Sequence, residues 1–167
     1  MYAVPYVKLP HTWGFVMERD DTKEVVGYVL SATDTRAFEK AAGETWWPSL
    51  APKYLVEGEH KIAGKPADEN YAKLISNRGQ TEQECIDFPP AHLHINILED
   101  YQKQGWGRKL IERAVGHLKD DIELDGVFLG VDMKNTDTKR FYERLRFRQW
   151  IGAPVDRLGF KFADWGH

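Results

Sequence analysis

Cysteine is almost missing from this chain. Cys85 stands alone among 167 residues, which excludes an intrachain disulfide and any cysteine-based zinc site. There are six histidines, but no His-Glu-x-x-His helix or comparable ligand spacing occurs, so no metal is expected. Long apolar runs are missing as well. The longest, Val25-Val26-Gly27-Tyr28-Val29-Leu30, falls far short of the ~20 residues that cross a bilayer. The first eight residues lack the basic start and apolar centre of a secretion signal. Nor is there an excess of positive charge. The 23 Lys+Arg and 26 Asp+Glu give a net charge of −3, and the pI is ≈ 6.1, which argues against nucleic acid as the main partner. No repeat or low-complexity segment occurs. The setting expected is soluble, reducing and cytoplasmic, with neither membrane nor nucleic acid as partner.

What is present is an ordinary globular composition, 42% hydrophobic and 29% charged, in a length that suits one domain spanning 1–167. The six tryptophans are many for this length, and Trp46 and Trp47 are adjacent. Residues 13–19 and 24–30 read as strands joined by the polar turn Asp20-Asp21-Thr22-Lys23, a hairpin. Asp34 is placed to cap a helix carrying Ala37, Phe38, Ala41 and Ala42 on one face, ending near Gly43 or continuing toward Trp46-Trp47-Pro48. Prolines and glycines punctuate 48–66. A second helix is expected from after Asp68 to Asn77-Arg78-Gly79, and 80–90 reads as loop.

The pattern sharpens from His92. Residues 92–98 form a strand, and a helix beyond residue 105 bears Trp106, Leu110, Ile111, Ala114, Val115 and Leu118 on one stripe. Residues 127–131 are a buried strand. Asn135 caps a helix with Phe141, Tyr142 and Leu145, and 147–151 and 158–162 are expected as two closing strands. The order β-β-α-α-β-α-β-α-β-β predicts an α/β fold with a mixed sheet flanked by helices.

Between the central strand and its helix lies Tyr101-Gln102-Lys103-Gln104-Gly105-Trp106-Gly107-Arg108. A strand, a glycine-bearing turn and a helix start gather backbone N–H groups that favour an anion over the helix terminus. Glycines there allow close backbone approach. The spacing is neither that of a P-loop nor that of a dinucleotide-binding Gly-x-Gly-x-x-Gly. A tight structural connection is the alternative. A second motif follows one helix and one strand later: Asn135-x-x-Thr138-x-x-Phe141-Tyr142-Glu143-Arg144-Leu145-Arg146-Phe147. Phe141 and Tyr142 there are also ordinary candidates for core aromatics.

These two motifs together resemble the GNAT acetyltransferases. The resemblance implies a GNAT fold and acetyl-CoA as co-substrate. Its diphosphate would lie on Gln102, Lys103, Gln104, Gly105, Trp106, Gly107 and Arg108, and its pantetheine along the backbone of Ile95 and Ile97 and near Asn135. Tyr142 would protonate the departing thiolate. Segments around Phe15-Val16-Met17-Glu18, Asp34-Thr35-Arg36-Ala37-Phe38, Trp46-Trp47-Pro48 and Pro90-Ala91-His92-Leu93-His94-Ile95 are similar to one GNAT branch. That branch includes bacterial acetyltransferase-like proteins and the pseudo-acetyltransferase domain of O-GlcNAc hydrolases.

The family's general pattern is departed from in three places. Asn96 stands where relatives often have Asp, and an amide takes up no proton near neutral pH. Arg146 replaces a small residue before Phe147. About a dozen residues precede Trp13, too few for the family's opening β-α unit. That unit is expected to be missing or supplied by another chain, for example in a homodimer that completes the sheet edge. His92, His94 and Asn96 alternate onto one strand face. His94, or Glu44 through a water, is a candidate base, and hydrogen-bonded interior polar groups are the alternative. Trp46, Trp47 and Tyr54 are candidates for an acceptor-pocket wall, with core filling as the competing role. The leading expectation is N-acetyl transfer to a small amine or a protein lysine by direct attack. Against it stand a catalytically inactive binding module and a nucleotide-binding regulator using the same turn.

Overall fold

The computed structural model describes residues 3–54, 71–73, 75–76 and 79–164. Five strands form one sheet in the order β1-β2-β3-β4-β5. They are Thr12–Glu18, Val25–Ala32, His92–Ile97, Gly126–Gly130 and Arg157–Lys161. β1 and β2 make the expected antiparallel hairpin, and β2 pairs antiparallel with β3. β3 and β4 run parallel, and β5 returns antiparallel to β4. The sheet is therefore mixed, as its strand order required.

The helices begin where capping chemistry places them. Asp34, in extended conformation, accepts a hydrogen bond from the Ala37 N–H at 2.9 Å. The Asn135 side chain accepts from the Thr138 N–H at 3.0 Å. Each satisfies an amide that the first helical turn leaves without a partner. The helix from Asp34 does not stop at Gly43. It runs as α2 (Thr35–Ala41), a π turn (Ala42–Trp46) and α3 (Trp47–Tyr54). Pro48 gives a reason for the wide turn, since its ring would collide with the Glu44 carbonyl of a regular helix. The Trp47 N–H reaches back five residues to the Ala42 carbonyl.

Several expectations are corrected. Residues 80–90 are not all loop: Gln83–Asp87 form a short helix, α4. Residues 147–151 do not form a strand. Arg148 makes a single bridge with Gly159, because Arg146 turns the chain at φ 71° and Trp150 leaves to stack on Phe88, centroids 4.4 Å apart. A one-turn helix not foreseen, α1 (Pro5–Lys8), precedes the hairpin. Of the second expected helix, 71–73 and 75–76 are helical, and its start, Leu74, Asn77 and Arg78 lie outside the described residues.

Two apolar layers cover the sheet. On one face α5 (Trp106–Gly116) buries Leu110 and Ala114 against Val29, with Ile95 and Ile97 alongside. Beside it α6 (Thr136–Arg144) closes a larger core through Tyr142, Leu145 and Phe147. On the other face α1 and α2 pack Tyr6 and Phe38 onto Leu30 and Ala32. Each layer buries several large side chains at roughly 1.5–3 kcal/mol apiece. Among the described residues no helix is long and apolar enough to cross a membrane.

Candidate active site

The central feature is a gap in the sheet. β3 and β4 are paired at His92 and Phe128, and the Phe128 N–H donates to the Ala91 carbonyl at 3.1 Å. Beyond that point the register records no further pair, so the two strands diverge. The backbone groups facing the gap follow from parity. The Leu98 N–H donates to the Val26 carbonyl at 2.9 Å, and Asn96 and His94 lie opposite Tyr28 and Leu30. Even-numbered residues of β3 therefore exchange bonds with β2, and those of Ile95 and Ile97 aim toward β4. A polar, extended ligand arm laid in the gap would meet them as another strand would.

The turn after β3 gathers donors at the mouth of this gap. The Gln102 side chain donates to the Ile97 carbonyl at 2.8 Å, and Gln104 donates to the Asp100 carbonyl at 2.7 Å. These two bonds brace the turn from within. Lys103 and Gly105 both have positive φ, 57° and 85°, which curls successive amides into a concave nest. The Gln102 N–H is taken by Glu99 and the Lys109 N–H by Gly105. Between them, the N–H groups of residues 103–108 have no acceptor among the described residues.

A Cβ at Gly105 would meet nothing within 4 Å. Trp106 is exposed and lies under the Lys109 ammonium, 4.1 Å from the ring centroid. Arg108 is exposed and paired with Glu112 at 2.7 Å. The Arg19 guanidinium ties the hairpin tip to the turn through the Tyr101 hydroxyl at 3.1 Å.

Gly107 joins the two motifs. A Cβ there would lie 2.9 Å from Phe141 Cζ and 3.7 Å from Ile97 Cδ1. The glycine is thus needed for contact between α5, β3 and α6, whereas Gly105 serves the turn itself. Tyr142, next to Phe141, is 7% exposed and belongs to the cluster against which Ile95 packs. Burial alone pushes its hydroxyl up to about 12. The hydroxyl has no hydrogen-bond partner among the described residues, yet it is not one of the sealed polar atoms. It is therefore a protonated donor at neutral pH. Asn135, exposed, spends its side-chain oxygen on the helix cap.

The opposite face of β3 holds the histidines. His92 is buried and hydrogen-bonded, the alternative expected for it, in a chain whose partners the sequence did not name. Thr35 Oγ1 donates to the Pro90 carbonyl at 2.6 Å, so it accepts from His92 Nδ1 at 2.7 Å, and His92 Nε2 then accepts from the Tyr6 hydroxyl at 2.6 Å. Tyr6 also stacks on Phe38 at 4.6 Å and meets the His94 ring edge-on at 5.2 Å. His94 and Asn96 are exposed on this face. Tyr6 is 86 residues from His92, and no local pattern marks such a pair. Trp47 is buried, and Trp46, half-buried, lies 6.5 Å from it and beneath Lys8 of α1. Among the described residues the Trp46 indole N–H is sealed and has no acceptor. Tyr54 is half-buried at the end of α3, and Glu44 is exposed on the π turn.

Comparison with known proteins decides the family. The model of the acetyltransferase (GNAT) family matches residues 5–147. A solved structure, SsHAT, is 31% identical with a TM-score of 0.73, the match covering 98% of this chain and 79% of that one. The chain belongs to the GNAT acetyltransferase family. Within that family of enzymes, spermidine/spermine N-acetyltransferase SpeG from Vibrio cholerae shares the fold at 14% identity and a TM-score of 0.51, over 96% of this chain and 71% of that one. AtaTR, solved with AcCoA bound, shares it at 16% and 0.51, over 92% and 69%. The diverging strands and the amide nest thus sit in a GNAT fold whose two motifs touch at Gly107 and Phe141.

Proposed function

We propose that this protein is an N-acetyltransferase that moves an acetyl group from acetyl-CoA to an amine by direct attack. The observation that carries the reading is the run of amides at 103–108 that lack acceptors among the described residues, in a turn open at Gly105. A diphosphate fits such a donor set, since a helix N-terminus and a nest both favour anions. Lys103 and Arg108 add positive charge there. The amides and carbonyls of Ile95 and Ile97 would hold the pantetheine in the gap, apart from the Ile97 carbonyl already bonded to Gln102. This directs the thioester back along β3 toward Tyr142, with His94 and Asn96 on the opposite face of the strand.

Acetyl-CoA supplies the activated acyl group, and the chain supplies position and protons. Tyr142, held protonated by burial, donates to the leaving sulfur. His94 accepts the proton of the incoming ammonium, with Glu44 through a water as the other candidate. Asn96 orients by hydrogen bonding, because it takes no proton. Trp46, Trp47 and Tyr54 wall the acceptor side, Trp47 from within the core. The acceptor is a small amine, an amino sugar or a lysine side chain.

Isothermal calorimetry with acetyl-CoA, beside ATP as control, tests the reading. Heat with acetyl-CoA and none with ATP supports it, and no heat with either removes it. Tyr142→Phe is expected to lower kcat by about 10²-fold, within the range for general acids, with unchanged acetyl-CoA affinity. Undiminished turnover would take the acid role from Tyr142. The non-catalytic alternative, which the exposed amide of Asn96 favours, is a module that binds acetyl-CoA without turnover towards any amine.

A further inference from the structure

We propose that Arg19 is a positioning residue for acetyl-CoA. Acting through Tyr101, it ties the tip of the β1–β2 hairpin to the turn after β3 and holds the amide nest in its binding shape before the ligand arrives. The proposal rests on the reading of residues 103–108 as the diphosphate site and adds a distant residue to it.

The hairpin tip aims this side chain. Met17 lies opposite Gly27 and Glu18 opposite Val25, so Val26 is an extra residue and the ladder bulges just before the tip. Such bulges bend a strand and re-aim the side chains beside them. The Arg19 N–H donates to the Glu24 carbonyl at 2.9 Å, and the Arg19 carbonyl accepts from the Lys23 N–H at 3.1 Å. Arg19 Nε and Nη2 both donate to the Asp21 carboxylate, at 2.9 and 2.7 Å. That carboxylate is itself held by the Thr22 N–H at 2.9 Å. A guanidinium is planar, so gripping one edge fixes the direction of the rest. Nη1 then donates to the Tyr101 hydroxyl at 3.1 Å, across a separation of 82 residues. Because Asp21 lies against the guanidinium, Arg19 acts by geometry rather than as a free charge.

The turn it reaches needs support. Tyr101 ends the 3₁₀ turn Glu99–Tyr101. The Tyr101 and Gln102 N–H groups donate to the Leu98 and Glu99 carbonyls at 2.9 and 3.1 Å. Two residues beyond Tyr101, Lys103 stands at φ 57°. Left-handed backbone at a residue other than glycine is strained, and it persists only where its surroundings over-determine it. The Gln102 and Gln104 side chains brace the turn against its own carbonyls, at Ile97 and Asp100. Among the described residues, the bond from Arg19 to Tyr101 is the one side-chain hydrogen bond joining residues 97–104 to another part of the chain. A nest ordered in advance spares the ligand the cost of ordering it.

Calorimetry with acetyl-CoA on the full chain, on Arg19→Ala, on Tyr101→Phe and on the double variant tests this. Each single variant should bind about three- to fivefold more weakly, the scale of one net hydrogen bond. The double variant should be no weaker than either single one, since both remove the same tie. The Tm of the free proteins should stay within about 2 °C, as for other surface substitutions. In the free variants, hydrogen exchange should quicken at the Tyr101 and Gln102 amides. The affinity ratio should hold between about 50 and 300 mM salt, because a screened charge is not its source. Wild-type affinity in either single variant, additive losses, or unchanged exchange would each overturn the proposal. So would a loss confined to Arg19→Ala and abolished by salt, or one matched by a general fall in Tm. These outcomes leave the diphosphate site standing. Absence of acetyl-CoA binding by the wild-type chain instead removes that site, and the role of Arg19 with it.

Discussion

Burial acts on two side chains of this protein in the same direction, with consequences in alkaline solution. Tyr142 is pushed up from 10.0 to about 12 by desolvation. The fully buried Cys85 thiol is pushed up from 9.0 to about 11, chiefly by desolvation and against a smaller opposing pull from Arg157. Both groups are neutral when protonated, and the folded chain holds each proton more tightly than the unfolded chain does. Their contribution is therefore complete below pH 9 and is lost as pH rises toward 11 for Cys85 and 12 for Tyr142. Two units correspond to at most about 2–3 kcal/mol for each group. Thermal unfolding followed from pH 8 to 12 should show Tm falling across this window, and Tyr142→Phe should flatten its upper part. A wild-type Tm that held steady to pH 12 would contradict the burial argument. Cys85 should also stay unreactive toward a thiol reagent at pH 8 until the chain is unfolded, since reaction needs an accessible thiolate.

At the scale of elements, legibility followed locality. The hairpin, the caps at Asp34 and Asn135 and the stripe of α5 were all written within a few residues of where they act. The expectation for 147–151 failed because an apolar, aromatic run reads as a strand whether its partner is a ladder or, as for Trp150, the ring of Phe88. The π turn at Ala42–Trp46 is likewise a response to Pro48, which local propensity marks only as a stop. Gly107 shows what spacing alone leaves out. Its motif role suggests approach to a ligand, but its Cβ direction is filled by Phe141 at 2.9 Å. Gly107→Ala should therefore destabilise by about 1–3 kcal/mol, the usual cost of overpacking. Phe141→Leu alone leaves a small cavity, and the double variant should recover part of both losses. A double-mutant cycle in urea checks this. Strict additivity would mean that the two helices do not meet through this pair.

For the whole molecule, the sequence carried the GNAT fold because its two motifs sit one helix and one strand apart. The candidate site was legible only where it is contiguous. Residues 102–108 and the strand before them could be named in advance, whereas the Tyr6–His92–Thr35 chain spans separations of 86 and 57 residues and leaves no periodic trace. The same contrast sets the last expectation, which concerns ligand-linked stability. Gly105→Ala places a methyl in open space, since nothing lies within 4 Å, but at φ 85°. Its cost to the apoprotein is left-handed backbone strain of about 1–2 kcal/mol. Its methyl also projects from the turn on which a diphosphate would rest. Wild-type protein at a hundred times Kd of acetyl-CoA should gain about 2.7 kcal/mol, or roughly 5–10 °C in Tm for a chain of this length. At the same acetyl-CoA concentration the Gly105→Ala gain should shrink by more than half, while raising acetyl-CoA in proportion to the weakened Kd restores it. Such a result separates lost affinity from lost fold. An equal shift in both proteins would place the diphosphate away from Gly105.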